Sequence, residues 1–394
     1  MEAIAVFAAA ALTTLVATPL AGRLARRVGA IAIPDDRRVH ERPTPTLGGL
    51  GLLLGFLAGM LVGWRFGGFE AIFTAPTVPL GVVVAAVVVY AVGFVDDIRE
   101  ISAPAKTAGT VLAGSILNFA GVSILLFRMP ELGLIDLSPD WAALITVLWV
   151  VGMCQAINLI DGLDGLAAGI VAIAAGALFL FADKLGDPSV AQLPPDNVAP
   201  LVALATCGAC VGFLPHNWNP ASIFMGDGGA LLLGVLMAAS SIAVGGNSTA
   251  DSSSQTFFFF APMFIPLVIL GVPIFDTAFA IVRRARRGTG VTAADKGHLH
   301  HRLMDLGHGQ RRSVLILWTW TALLSGLVLY PVYTSTDDAA LPIGIAALAL
   351  LLYTVLHPQA RTERRARKDR APDGGEPGDA EPAHDDAPAP PSSR

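Results

Sequence analysis

The sequence predicts an all-α polytopic membrane protein of about eleven transmembrane helices, with its N-terminus outside and its C-terminus cytosolic. Three observations carry this expectation. Charged residues make up 14% of the 394 residues, against about 25% in soluble domains, and mean hydropathy is +0.62. That composition excludes a disordered protein and argues against a soluble enzyme. Apolar runs of roughly 17 or more residues recur along the chain, each long enough to cross a hydrocarbon core of about 30 Å. Finally, if the N-terminus is outside, the 26 Lys and Arg divide 23 to 3 in favour of the cytosolic segments, the asymmetry that orients membrane helices.

The runs centre near residues 11, 56, 85, 116, 149, 172, 207, 237, 270, 324 and 348. The first has no basic residue before it and Arg23, Arg26 and Arg27 behind it. A secretory signal has the reverse order, so this run reads as a retained first span. Arg65 and Arg128 fall in the outside loops after the second and fourth spans, and Lys184 in the loop after the sixth. The third span ends in "GFVDDIRE", with Asp96 and Asp97. The fifth and sixth meet at "NLIDGLDGLA", where Gly162 and Gly165 let the backbone turn between Asp161 and Asp164. Cys207 and Cys210 sit in the seventh span among Gly and Ala, where small residues pack against a neighbouring helix. "GFLPHNWNPASIFMGDGGALLLG" joins the seventh and eighth spans, with Asn217 and Asp227. "RRARRGTGVTAADKGHLHHRL" follows the ninth. There Thr292 and Asp295 resemble a helix-starting capping box, and a helix running on would put His298, His301 and Arg302 on one face, away from His300. The chain divides into a membrane-embedded domain, 1–357, and a disordered cytosolic tail, 358–394, rich in Pro, Asp, Ala and Gly.

An aspartate at mid-bilayer costs roughly 2.5–3.5 kcal/mol, so the placement of the acids matters. Every polar motif above falls on a cytosolic loop in the topology set by Lys and Arg, and the outside loops show no comparable cluster. One cytosolic site assembled from several loops is the common reading. Carboxylates and an amide oxygen are hard ligands that suit Mg²⁺ or Mn²⁺. The neighbouring basic stretch supplies countercharge for phosphate. Zinc fits less well, because no cysteine lies near the histidines.

"DD" after the third span, "NLIDGLDGLA", "GFLPHNWNPASIFMGDGG" and "DKGHLHHRL", in that order, resemble the polyprenyl-phosphate N-acetylhexosamine-1-phosphate transferases. "HERPTPTLGG" is similar to both main branches of that family. "HLHHRL" is similar to the branch that uses UDP-GlcNAc; the peptidoglycan branch, phospho-MurNAc-pentapeptide transferase, carries His-His-His followed by an acid. The resemblance implies a Mg²⁺-dependent transferase, with Mn²⁺ able to substitute, in the bacterial inner (plasma) membrane with its active site on the cytosolic face. GlcNAc-1-phosphate would pass from UDP-GlcNAc to a polyprenyl phosphate (undecaprenyl or decaprenyl), releasing UMP, as the first lipid-linked step of cell-envelope polysaccharide synthesis. The expected partners are these two substrates, the membrane and a second copy of the chain in a homodimer, with no nucleic acid.

By the same resemblance, Asp227 is the main metal ligand, with Asn158 or Asp161 completing the shell. Asp164 and Asn217 hydrogen-bond the uracil and Phe224 stacks on it. Asp96 and Asp97 sit near the acceptor phosphate. His298, His300 and His301 contact the diphosphate with Arg302, and Lys106 joins the substrate-binding set. A phosphate monoester has a second pKa of about 6, so its oxygen can attack the β-phosphate directly while Asp96 or Asp97 positions it or takes its last proton. A two-step route through an aspartyl-phosphate is the alternative. A transporter is the reading from another class, and the one-sided acids and the absence of an inverted repeat count against it.

Overall fold

The computed structural model describes residues 1–33, 42–65, 68–129, 133–190, 192–245, 308–334 and 340–356, with a few positions between 271 and 306. Among the described residues ten long helices follow one another: α1 (Glu2–Val28), α2 (Gly49–Arg65), α3 (Thr77–Arg99), α4 (Ala103–Phe119), α5 (Pro139–Ile160), α6 (Leu166–Gly186), α7 (Ala199–Asn217), α8 (Gly226–Gly245), α9 (Gln310–Thr334) and α10 (Ala340–Leu356). Each coincides with one of the apolar runs. Seven are long and apolar enough to cross a membrane, and α2 and the Pro342–Thr354 part of α10 are shorter apolar helices. The chain is therefore a helical, polytopic membrane protein. The run near 270 is described only at residues 271, 272, 274 and 278, and the segment 283–302 and the tail 358–394 lie outside the described residues.

The all-α expectation needs one correction. Two small antiparallel hairpins are present: β1 (Ile31–Ala32) with β2 (Thr44–Pro45), and β3 (Leu126–Met129) with β4 (Gly133–Asp136). Strands of two to four residues are too short to show a period-two pattern against an apolar background.

Burial sorts the helices into layers. Every residue of α8 from Gly228 to Gly245 is buried. A helix that is apolar all round belongs in a core, and α8 is enclosed by α2, α3, α5, α6 and α7. α1 instead buries one stripe, Val6, Ala10, Thr14, Thr18, Ala21 and Ala25, whose three- and four-residue spacing marks a single helical face. That face packs on α2 and α7, and Leu12, Val16 and Leu20 remain exposed on the other side. Exposed Val111, Leu112 and Phe119 on α4 and Trp141, Leu144 and Leu148 on α5 complete an apolar outer surface, as contact with lipid tails demands.

Without a hydrophobic force between helices in lipid, close backbone approach must supply the packing. On α2, glycines recur every fourth residue at 51, 55, 59 and 63. Cβ atoms there would run into Thr18, Thr14, Ala205 and Leu201 respectively. At the site, Gly93 of α3 lies against Gly228 of α8, where a Cβ on Gly93 would overlap the Gly228 backbone. Gly93→Ala should therefore separate α3 from α8 and cost about 1–3 kcal/mol, the usual range for overpacking. Gly152, inside α5, has nothing within 4 Å of its would-be Cβ. Gly152→Ala should be neutral or stabilise by about 0.5–1 kcal/mol through helix propensity. Thermal unfolding of the two variants in detergent, followed by tryptophan fluorescence, checks the pair: the midpoint should fall for the first and hold or rise for the second.

Candidate active site at one end of the bundle

The first N–H groups of any helix lack partners within the helix. In α8 these groups are met from another helix. Asp97, in the last turn of α3, accepts from the Asp227 N–H through Oδ1 (2.8 Å) and from the Gly228 N–H through Oδ2 (3.1 Å). A carboxylate here also faces the positive end of the α8 dipole. The segment entering α8 is fixed by a second strap. The Phe224 N–H donates to the Pro45 carbonyl (2.8 Å), the Gly48 N–H to the Phe224 carbonyl (2.9 Å) and the Gly49 N–H to the Met225 carbonyl (2.8 Å). Gly226 turns the chain into the helix at φ +69°, and a Cβ there would strike the Thr46 carbonyl and the Asp97 carboxylate.

So held, α8 presents Asp227 to three side chains from α3, α4 and α5. The Lys106 ammonium lies against Asp227 Oδ2 and 2.6 Å from Asp96 Oδ2. Asn158 Nδ2 donates to Asp227 Oδ1 at 3.2 Å. Asp96 is steadied by the Ile101 N–H, which donates to its Oδ1 at 2.8 Å. Asp161 closes α5 beside this group. Burial, then the charges of Asp227, Asp97 and Asp164, push its carboxyl up to about 8. The acids also outnumber the single lysine, so a surplus of negative charge adds to the larger effect of burial.

A second network stands next to the first. Asp164 Oδ2 accepts from Asn219 Nδ2 (2.9 Å) and from the Ala221 N–H (3.0 Å). Asn217 Oδ1 accepts from the Gly165 N–H (3.0 Å), and its Nδ2 donates to the Ile223 carbonyl (2.9 Å). Both side chains are buried, and together they fasten the α5–α6 turn to the α7–α8 loop.

The structure thus brings Asp96, Lys106, Asn158 and Asp227 into one cluster, with Asp161 beside it. It turns Asp97 toward backbone, and it places Asp164 and Asn217 in the neighbouring network. Phe224 is partly buried on the strap. His298, His300, His301 and Arg302 lie outside the described residues. Among the described residues no three His, Cys, Asp or Glu side chains converge as a metal cage. The donors around Asp227 are all hard oxygen or nitrogen groups. Two contributors escaped the reading of the sequence. "PTPTLGG" was legible as a motif but not as the strap for α8, although its Gly48–Gly49 pair signals a close backbone approach. Asn219 was passed over within "HNWNP", where an amide before proline was the available signal.

The sequence pattern of glycosyl transferase family 4 matches residues 79–245, the stretch that carries α3 to α8. The chain belongs to that family of transferases. Within it, the chain is 35% identical over 376 residues to the decaprenyl-phosphate N-acetylglucosaminephosphotransferase of Mycolicibacterium smegmatis, covering 93% of this chain and 89% of that one. It is 36% identical over 350 residues to the enzyme of the same name from Mycobacterium tuberculosis, covering 86% and 85%. A phospho-N-acetylmuramoyl-pentapeptide-transferase of Mycolicibacterium smegmatis is 32% identical over 326 residues, covering 73% and 83%.

The two adjacent aspartates should respond differently to the same change. Asp97→Asn sets an amide where two N–H donors need acceptors, and leaving one unmet costs about 1–3 kcal/mol. Its unfolding midpoint should fall along with its turnover. Asp96→Asn loses part of an ion pair that is open to solvent on one side, so turnover should fall with little change in midpoint. Parallel unfolding and turnover measurements on the two variants check this.

Proposed function

We propose that this chain transfers GlcNAc-1-phosphate from UDP-GlcNAc to a polyprenyl phosphate, undecaprenyl or decaprenyl, and releases UMP. The observation that carries the reading is the Asp96–Lys106–Asp227–Asn158 cluster at one end of a membrane bundle. A lipid phosphate can reach side chains only at such an end, because its tail stays in the bilayer. The names of the relatives point to the same acceptor and the same sugar. The 23 to 3 division of Lys and Arg supports eleven spans with the N-terminus outside, which puts the cluster on the cytosolic face of the bacterial plasma membrane, where nucleotide sugars are found.

Asp227, with Asn158 or Asp161, would hold Mg²⁺ or Mn²⁺. The oxygen donors fit a hard cation, and the cluster already gathers two carboxylates around one positive charge, the Lys106 ammonium. When bound, such a metal neutralises diphosphate charge. The residues of the chain do the rest. Asp97 keeps the first turn of α8 in place and so aims Asp227. Asp96 positions the acceptor phosphate or takes its last proton, and Lys106 offsets charge beside it. Asp164, Asn217 and Phe224 take the uracil side of the donor. His298, His300, His301 and Arg302 contact the diphosphate. The acceptor oxygen forms a bond to the β-phosphorus, the bond from that phosphorus to the UMP oxygen breaks, and UMP carries away the electron pair.

Purified protein in detergent, given a polyprenyl phosphate and either UDP-GlcNAc or UDP-MurNAc-pentapeptide, tests the reading. UMP release is expected with the first donor, with a dependence on added Mg²⁺. Release with the second donor alone would move the chain to the peptidoglycan branch, and release with neither would end the reading. Asp227→Asn should lower turnover by roughly 10²–10³-fold, the scale of losing one charge-stabilising group. Raising Mg²⁺ should recover part of that loss by mass action.

A further inference from the structure

The start of α9 reaches back over the α7–α8 loop. Gln310 Oε1 accepts from Asn219 Nδ2 at 2.7 Å, and the same amide nitrogen donates to Asp164 Oδ2 at 2.9 Å. An amide NH₂ has two hydrogens, so this one is fully committed. Its orientation, and with it the N–H it donates to Asp164, depends on Gln310. Arg311 Nε donates to the Asn219 carbonyl at 3.0 Å and fixes the backbone of the same residue. Further along α9, the Trp318 ring lies against Trp218, with centroids 5.4 Å apart, and its Nε1–H donates to the Leu166 carbonyl at 3.3 Å. α9 therefore grips both pieces that Asp164 and Asn217 join, the α7–α8 loop and the start of α6. The tryptophan contacts are well placed to carry stability. Gln310 is only partly buried and Arg311 is exposed, and polar contacts of that kind contribute little to stability.

We propose that Gln310 and Arg311 are positioning residues that act through Asn219, latching the α7–α8 loop so that Asp164 is set to receive the nucleotide of the donor. The proposal rests on the reading above that Asp164 and Asn217 face the uracil. The latch belongs to α9, which directly follows the histidine-bearing segment in sequence. It lies outside the stretch matched by the family pattern, which ends at residue 245. The consequence is selective: loss of the latch loosens the nucleotide side and leaves the Asp96–Lys106–Asp227 cluster untouched.

The test combines UDP titration by calorimetry with steady-state kinetics on the full chain in detergent. Gln310→Ala and Arg311→Ala should each raise the UDP Kd and the UDP-GlcNAc KM by about 3–10-fold, the scale of one hydrogen bond. The kcat, the KM for polyprenyl phosphate and the unfolding midpoint should stay near wild type. The double variant Asn219→Ala/Gln310→Ala should bind UDP no more weakly than Asn219→Ala, because both changes remove the same connection. An unchanged UDP Kd in both single variants overturns the proposal. So does a parallel fall in kcat and in affinity for the lipid, or strict additivity in the double variant. If wild type binds UDP but turns over neither donor, the proposed function fails while the UDP titrations still decide the latch. A wild type that does not bind UDP defeats both.

Discussion

Two backbone N–H groups at the start of α8 and the carboxylate of Asp97 form the contact on which the rest of the site depends. α8 is buried along nearly its whole length, so its unpartnered amides cannot all turn to water. A buried donor left unmet is expensive, and the chain meets two of them with an acid borrowed from α3. That choice forces other features. α3 and α8 must approach backbone to backbone, which requires glycine at 93. The chain must swing sharply into the helix at Gly226, and the strap from Pro45 to Gly49 must hold the incoming segment. Asp227 then projects at a fixed place toward Lys106 and Asn158.

One residue type thus performs three tasks, separated by what each side chain faces. Asp97 faces amides and builds the fold. Asp96 and Asp227 face the Lys106 ammonium at the end of the bundle. Asp164 faces an asparagine and a backbone N–H and ties a turn to a loop. Asp161 stands beside these groups, and its raised carboxyl reflects first its burial and then the charge of its neighbours. In the proposed reaction these tasks become positioning, phosphate chemistry and nucleotide recognition, each carried out by acids that composition alone makes look alike.

Much of the fold was legible because lipid imposes a coarse rule: apolar runs of the right length become helices. Ten of the eleven runs have a described helix, and the remaining one, near 270, is described only at four positions. The hairpin strands were not legible, since a few residues carry no periodicity. The gathering of "DD", "NLIDGLDG" and "MGDGG" into one site was legible from their shared side of the membrane. The different roles of Asp96 and Asp97 were not. Adjacent residues on a helix point about 100° apart, and which of the two meets α8 depends on how the helices pack. Asn219 and Gln310 are 91 positions apart in sequence, and nothing local in either stretch announces the other.

Hydrogen exchange at the start of α8 tests the central contact most directly. In wild type, the amides of Asp227 and Gly228, read from a peptide spanning residues 224–232, should exchange slowly because the Asp97 carboxylate holds them. In Asp97→Asn they should exchange about tenfold faster or more, the signature of a local opening made easier, while Asp96→Asn leaves them as in wild type. Equal exchange in wild type and Asp97→Asn would contradict the account, because α8 would then be held without the acid on which the site is said to depend.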